Sequence, residues 1–286
     1  QWIILLTGLI FIATPFAIKS VGGWSAVRAT LGDEYLQLNN ISWPQLINWA
    51  FTIIPIWFVG MTLYQRIYAS RDEKSARKAW FIAGLFEYPV MAFLGVILGM
   101  LSKVAVEQGL IGQYTVDTID PELGLPLLLK TILPVGFMGT VMAVYFSAIM
   151  STADSCLMAS SGNILTDVLG KHRGKNSLKY SQILSLIIGA LALFLAMKME
   201  NVLELMLLSY AFMVSGLLVP VLAALFTKKP NSLAALLAML GGGLTTSILV
   251  GLKLTLPFGL DANIFGIAVS LLVYVVTASL SQKSAP

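Results

Sequence analysis

The chain has 286 residues, of which 57% are hydrophobic and only 11% are charged, and its mean hydropathy is +0.85. Soluble domains carry roughly 45–50% apolar and about 25% charged residues, so this composition excludes a soluble globular protein. The single cysteine, Cys156, excludes an internal disulfide and a multi-cysteine metal site. The single histidine, His172, lies in a basic loop where we expect it to be solvated. So little acid–base chemistry remains that we do not expect an enzyme.

Stretches without Lys, Arg, Asp or Glu mark the expected membrane spans, because a bilayer-spanning helix needs about 20 predominantly apolar residues. Six stretches are free of these residues, and two more carry a single acid each, Glu87 and Asp154. The second span begins near Leu46, since the polar residues before it are typical of a loop. The sequence thus predicts an all-α polytopic membrane protein with eight transmembrane helices. The stretches are 1–18, 35–65, 79–102, 131–166, 180–197, 205–227, 230–252 and 262–282.

The first residue is Gln1 rather than methionine, and the apolar run 1–18 starts at once. A signal peptide would carry a basic segment before its apolar region. We therefore expect the chain to be the C-terminal part of a longer protein and to begin inside a membrane helix.

The basic residues indicate the orientation of the spans. With eight spans, 12 cations fall in one set of loops and six in the opposite set. The positive-inside rule places the richer set in the cytoplasm, which predicts a multi-pass protein of the plasma (inner) membrane with both chain ends cytoplasmic. The net charge of +4 is therefore a topology signal, and we expect no nucleic-acid partner. The richer set is Arg66, Arg71, Lys74, Arg77, Lys78, Lys171, Arg173, Lys175, Lys179, Lys228, Lys229 and Lys283; the poorer set is Lys19, Arg28, Lys103, Lys130, Lys198 and Lys253.

Two apolar regions carry further local signals. The residues 120–124 (Asp-Pro-Glu-Leu-Gly) are typical of a turn, and they predict a short surface helix near 124–132 before a long span that starts near 136. Gly241, Gly242 and Gly243 lie inside the seventh span, where three successive glycines indicate close helix packing.

The fourth span is unusually rich in hydroxyl groups. Ala148, Ser151 and Thr152 are spaced i, i+3 and i+4, so they share one helix face. Two hydroxyl oxygens beside a backbone carbonyl suit a small hard cation that prefers oxygen ligands, and sodium fits that description. Asp154 and Ser155 are candidates for supporting these ligands, because a carboxylate inside a membrane bundle is functional by default. The alternative is helix packing, since small and hydroxylated residues are common where membrane helices meet.

Several motifs of the chain agree with one known family. The run Ser147-Ala-Ile-Met-Ser-Thr-Ala-Asp-Ser155, followed by Ala159-Ser-Ser-Gly-Asn-Ile-Leu-Thr-Asp167, closely resembles the signature helix of the sodium/solute symporter family. Gln65-Arg66 resembles the end of the family's broken sixth core helix, and the stretch 209–231 resembles its tenth helix. Gly22-Gly23-Trp24 after the first span also agrees. The resemblance covers essentially the whole chain.

This resemblance implies part of a LeuT-type fold of two inverted five-helix repeats, within a single transmembrane domain over 1–286. Residues 1–19 would form the last helix of the first repeat, 46–227 the second repeat, and 232–282 two peripheral helices. By motif position, the carbonyl of Ala148 and the hydroxyls of Ser151 and Thr152 would bind Na⁺. The remaining ligands would come from the first core helix, which lies outside this chain.

In the same fold, the second span matches a broken helix that lines the substrate cavity. Pro55 and Gly60 are consistent with a local break there. Trp57, Thr62 and Tyr64 are the side chains that we expect nearest the substrate. Their stretch departs from the family's common Tyr-Phe-Gly-Gln pattern, since residues 56–60 read Ile-Trp-Phe-Val-Gly. This departure leaves the identity of the substrate open.

The sequence as a whole predicts sodium-coupled symport of a small organic solute across the lipid bilayer by alternating access. Three functions are alternatives to symport: a solute sensor, a channel, and a non-transporting relative built on the same fold. A channel would favour a row of charged residues along one pore-lining face, and the spans contain none.

Overall fold

The computed structural model describes residues 8–37, 40–112, 114–170, 176–198 and 201–283. Every regular element within these ranges is helical. Seven of their helical segments are long and apolar enough to cross a membrane, or eight if the bent pair Ile10–Ser20 and Gly23–Leu31 forms one span. The predicted all-α polytopic fold is thereby confirmed. The start of the first predicted span and the loop around His172 lie outside the described residues.

Twelve α-helices are described, in chain order. They are α1 (Thr14–Ser20), α2 (Gly23–Leu31), α3 (Trp43–Val59), α4 (Met61–Tyr68), α5 (Glu73–Phe86), α6 (Phe93–Glu107), α7 (Gly124–Ile132), α8 (Val135–Asn163), α9 (Ser177–Ala196), α10 (Val202–Phe226), α11 (Ser232–Gly251) and α12 (Ala262–Lys283). Short π-helical segments precede α1 (Gly8–Ala13), join α5 to α6 (Glu87–Ala92) and follow α8 (Ile164–Val168). Turns of 3-10 helix occupy Asp33–Leu36, Pro121–Leu123 and Pro257–Gly259.

Two helix boundaries differ from the sequence prediction. The third span was expected over 79–102, but its helical run extends from Glu73 to Glu107. The carboxylate of Asp72 accepts a hydrogen bond from the backbone N–H of Ser75 and so caps the start of the helix. The helix therefore begins within the charged loop, before the apolar stretch from which the span was predicted. After the first predicted span, a further helix, α2, follows α1 at an angle of 66°, because Gly22 and Gly23 both adopt φ of +88°, which is disfavoured for other residues.

The chain divides into two compact units, and each is built from two separate stretches of sequence. The first unit comprises Gln1–Asn40 and Gln65–Leu195, and the second comprises Ile41–Tyr64 and Ala196–Pro286. The first unit is centred on a leucine- and valine-rich core formed by α1, α2, α6, α7 and the first half of α8. Leu98 and Leu101 of α6 and Leu128 and Leu129 of α7 are fully buried there.

The second unit is formed by α3, α10, α11 and α12, and small residues let its helices approach closely. Val214 of α10 is buried against Ile56 and Val59 of α3. Ser215 on α10 and Gly242 on α11 lie at the centre of the contact among α10, α11 and α12, and both are buried. The close helix packing that the triple glycine indicated is therefore confirmed.

A chain of hydrogen bonds connects α3 to the segment that leads into α12. The amide Nδ2 of Asn48 donates to the carbonyl of Gly259 at 2.9 Å, and its Oδ1 accepts from the backbone N–H of Asp261 at 3.0 Å. One turn later, the hydroxyl of Thr52 accepts from Nδ2 of Asn263 at 2.9 Å. Asn48, Thr52 and Asn263 are all buried, so polar side chains hold this end of the second unit together.

Candidate functional site

Helix α8 carries the predicted sodium ligands, and its two halves have different surroundings. It begins directly after Pro134 and runs for 29 residues. In the first half, Val141 is buried in the core of the first unit, with Val144 and Ala148 packed against the same core. In the second half, Ser151, Thr152 and Asp154 are exposed. The core therefore fixes the helix up to Ala148 and leaves the following hydroxyls accessible.

The three predicted ligand oxygens lie together on one face of α8. The Ser151 hydroxyl donates to the Ala148 carbonyl at 2.9 Å, and the Thr152 hydroxyl reaches the same oxygen at 3.5 Å. A hydroxyl rotates and keeps two lone pairs, so both groups can turn their lone pairs outward while the carbonyl stays in place. This arrangement offers three neutral oxygens to a hard cation.

The two supporting candidates are placed differently. The hydroxyl of Ser155 donates to the carbonyl of Ser151 at 2.9 Å, so it connects directly to the backbone of a predicted ligand. Asp154 is exposed and makes no hydrogen bond or ion pair with any described residue. Its carboxylate is therefore available on the second half of the helix, beside the predicted ligands in sequence but not bonded to them.

The predicted substrate residues flank a real break in the second span. Helix α3 ends at Val59, Gly60 is extended (φ −68°, ψ 106°), and α4 begins at Met61. Trp57 lies before the break and packs against the apolar cluster of Ile56, Val59 and Val214. The sequence indicated Pro55 or Gly60, and the break is at Gly60, whereas Pro55 remains inside α3.

Two further predicted substrate residues, Thr62 and Tyr64, follow the break. Thr62 is half-buried, and its hydroxyl has no hydrogen-bond partner among the described residues. Tyr64 donates its hydroxyl to the carbonyl of Phe58 at 2.7 Å, across the break. This carbonyl belongs to the last turn of α3, where the helix cannot supply a partner for every acceptor. Tyr64 thus stabilises the break itself, a role that sequence spacing did not reveal.

We expect Tyr64→Phe to lower the free energy of unfolding by about 1 kcal/mol, because it removes one hydrogen bond and leaves the Phe58 carbonyl unpaired. Thermal unfolding without any solute measures this effect. Tyr210→Phe is a matched control in the same unit, since the Tyr210 hydroxyl forms no hydrogen bond with any residue that the structure describes. An unchanged melting temperature in Tyr64→Phe would contradict the stabilising role of its hydroxyl.

Sequence comparison finds a family whose profile covers the residues of α3, α4 and α8. The profile of the sodium:solute symporter family matches residues 1–242. The chain is similar to the sodium/myo-inositol cotransporter of Bos taurus, with 26% identity over 229 residues, or 72% of this chain. It is also similar to the sodium/pantothenate symporter of Escherichia coli (strain K12), with 30% identity over 152 residues, or 51% of this chain.

The aligned parts cover only 30% of the cotransporter and 31% of the symporter. Both similarities are therefore to a part of each relative. The family profile, in contrast, spans most of this chain and includes the hydroxyl-bearing helix α8 and the broken span α3–α4. The chain belongs to the sodium:solute symporter family.

Proposed function

We propose that this chain supplies part of a sodium-coupled symporter of a small organic solute. The observation that carries the proposal is the oxygen set of Ala148, Ser151 and Thr152 on the accessible face of α8. Neutral oxygens without nitrogen or sulfur suit Na⁺. Each relative named above is called a sodium cotransporter or symporter.

In this proposal, α3 to α10 belong to the second repeat of a LeuT-type fold, with 1–19 ending the first repeat and 232–282 peripheral. The remaining sodium ligands come from the first core helix of the full-length protein. Asp154 and Ser155 support the ligand set, Ser155 through its hydrogen bond to the carbonyl of Ser151. The richer set of basic loops faces the cytoplasm of a plasma (inner) membrane.

The solute binds at the break between α3 and α4, near Trp57, Thr62 and Tyr64. Broken helices at mid-membrane expose backbone groups that neighbouring residues or a ligand must satisfy. The half-buried hydroxyl of Thr62 is available for this purpose. Alternating access then exposes solute and sodium to each side in turn, and sodium entry contributes ~2.3 kcal/mol per charge per 100 mV.

Sodium-dependent unfolding of the full-length protein in detergent tests the proposal without knowledge of the solute. An ion that binds only the folded state stabilises it by ~2.7 kcal/mol at 100 times its dissociation constant. We expect NaCl to raise the melting temperature above that in equimolar KCl. We expect Ser151→Ala/Thr152→Ala to lose that difference.

Thr140→Ala/Ser160→Ala is the matched control, because it removes one threonine and one serine hydroxyl from α8. Both hydroxyls donate to the carbonyl four residues earlier, as serine and threonine commonly do in helices. This control should keep the sodium effect. Equal melting in both salts, or a sodium effect that survives in Ser151→Ala/Thr152→Ala, would refute the assigned ligands and favour a sensor or a non-transporting relative.

A further inference from the structure

The second unit contains an apolar groove of about 910 Å³ between α10 and α11. Phe212 of α10 forms part of its wall and lies against α11 at Gly243, where a Cβ atom would be 3.4 Å from the Phe212 ring. Phe212 and Leu240 line the groove and are each about half exposed, although both side chains are large and apolar. A groove of this size and composition is typical of a site for an apolar ligand.

The groove has the depth of one membrane leaflet. Its lining residues run from Leu208 to Leu217 on α10 and from Met239 to Gly251 on α11, which is about 14 Å and about 18 Å at a rise of 1.5 Å per residue. Half of the hydrocarbon core of a bilayer is about 15 Å thick. The groove reaches the last residue of α11, so it lies toward the end of the helix pair that is opposite to the joining loop 227–231. Its length therefore matches one acyl chain of a single leaflet.

Two polar groups follow the apolar lining toward this end of α11. Ser247 lines the groove one turn before Gly251, and its exposed hydroxyl has no hydrogen-bond partner among the described residues. Lys253 follows two residues after Gly251 and forms no ion pair within the described part of the chain. It lines a recess that shares Val250 with the groove. A hydrogen-bond donor and then a cation therefore succeed the apolar groove along one helix.

We propose that this groove binds a glycerophospholipid of the surrounding bilayer, with one acyl chain against Phe212 and Leu240. An ester carbonyl of the lipid accepts from the Ser247 hydroxyl, and its phosphate pairs with Lys253. A glycerophospholipid carries these groups in the same order, with the esters above the acyl chains and the phosphate above the esters. Basic residues at the membrane surface attract lipid phosphates. A transmembrane helix satisfies its own backbone, so it would offer Ser247 and Lys253 no such acceptors.

The recess around Lys253 also constrains the headgroup. Asp261 lines the same recess, and its negative charge disfavours a headgroup with a net negative charge. A zwitterionic phospholipid therefore suits the site better than an anionic one. In the orientation proposed above, the loop 227–231 is cytoplasmic, so the lipid belongs to the outer leaflet. The site uses none of the α8 ligands and does not depend on the proposed sodium coupling.

Native mass spectrometry of the delipidated full-length protein in detergent tests the proposal by titration with dipalmitoylphosphatidylethanolamine. Dipalmitoylglycerol has the same chains and esters but no phosphate, so we expect it to bind more weakly. Gly251→Phe should abolish retention of one phospholipid, because a Cβ at this position meets no atom within 4 Å and the ring can occupy the end of the groove. Lys253→Gln should weaken phospholipid binding about fivefold, as for one basic residue near a charged membrane surface.

Gly99→Phe and Lys130→Gln are the matched controls, and both should bind the phospholipid as the parent protein does. A Cβ at Gly99 also meets no atom within 4 Å, and Lys130 is an exposed lysine without an ion pair among the described residues. The melting temperature of each variant shows whether it is folded. Equal affinity for both lipids, or full retention in Gly251→Phe, would overturn the proposal. A parent protein that retains no phospholipid would also overturn it, since another part of the full-length protein would then cover the groove.

Discussion

Gly242→Ala is expected to prevent the second unit from reaching its native packing. A Cβ atom on Gly242 would overlap the carbonyl oxygen of Ser215 on α10, and it would lie 2.9 Å from the Cβ of Ser270 on α12. Backbone atoms cannot rotate out of the way as a flexible side chain can. Overpacking typically costs about 1–3 kcal/mol, occasionally more. Because the clash is with backbone atoms, we expect Gly242→Ala to lower the free energy of unfolding by about 3 kcal/mol or more.

Gly266→Ala on α12 should have a similar effect, because its Cβ would lie 2.8 Å from the carbonyl oxygen of Gly242 and 2.7 Å from the Cβ of Ser215. The folded yield from size-exclusion chromatography and the melting temperature in detergent measure both variants. Gly99→Ala on α6 is the control, since a Cβ there would meet no atom within 4 Å. It should be neutral or up to about 1 kcal/mol more stable. Melting of Gly242→Ala at the parent temperature would contradict the close helix contact.

Asn48→Ala should lower the free energy of unfolding by about 3 kcal/mol, since it removes two hydrogen bonds and leaves two backbone groups without partners. Those groups are the carbonyl of Gly259 and the N–H of Asp261. Immediately before Gly259 in the chain, Phe258 adopts a positive φ of 61°, which costs roughly 1–2 kcal/mol for a residue other than glycine. Asn48 therefore holds a strained segment in place at the start of α12.

The melting temperature in detergent measures this effect, and Gln45→Ala provides the matched control. Gln45 is an exposed amide one turn earlier on α3, and its side chain has no hydrogen bond with a described residue. Asn48→Asp separates the two hydrogen bonds, because it keeps the acceptor for Asp261 and loses the donor to Gly259. If Asn48→Ala melts at the temperature of Gln45→Ala, the amide does not stabilise this segment.

The parts of the fold that sequence analysis predicted are those with a local or periodic signal. Long apolar runs identified the spans, the turn residues before Gly124 identified α7, and the i, i+3, i+4 spacing placed the oxygens of Ala148, Ser151 and Thr152 on one face. Each of these signals acts within a few residues, where helix geometry alone determines which groups are neighbours.

The parts that sequence analysis missed depend on contacts that have no such signal. Asn48 and Asn263 are single amides in apolar spans, and nothing in their spacing pairs them with Gly259 and Thr52. The hydroxyl of Tyr64 bonds the carbonyl of Phe58, six residues earlier in the chain. The two groups meet because the chain is extended at Gly60. An uninterrupted helix would separate these two groups, so the contact exists only once the break is known.

The pairing of Asn48 with Gly259 spans 211 residues, and this distance imposes an order on biosynthesis. A ribosome that adds ~5–20 residues per second needs about 10–40 s to deliver the partner of Asn48 after α3 has been made. During that interval the amide of Asn48 and the hydroxyl of Thr52 lack the contacts that α12 later provides, and unpaired polar groups are costly in lipid. The speed of translation therefore determines how long a half-made second unit is open to misassembly.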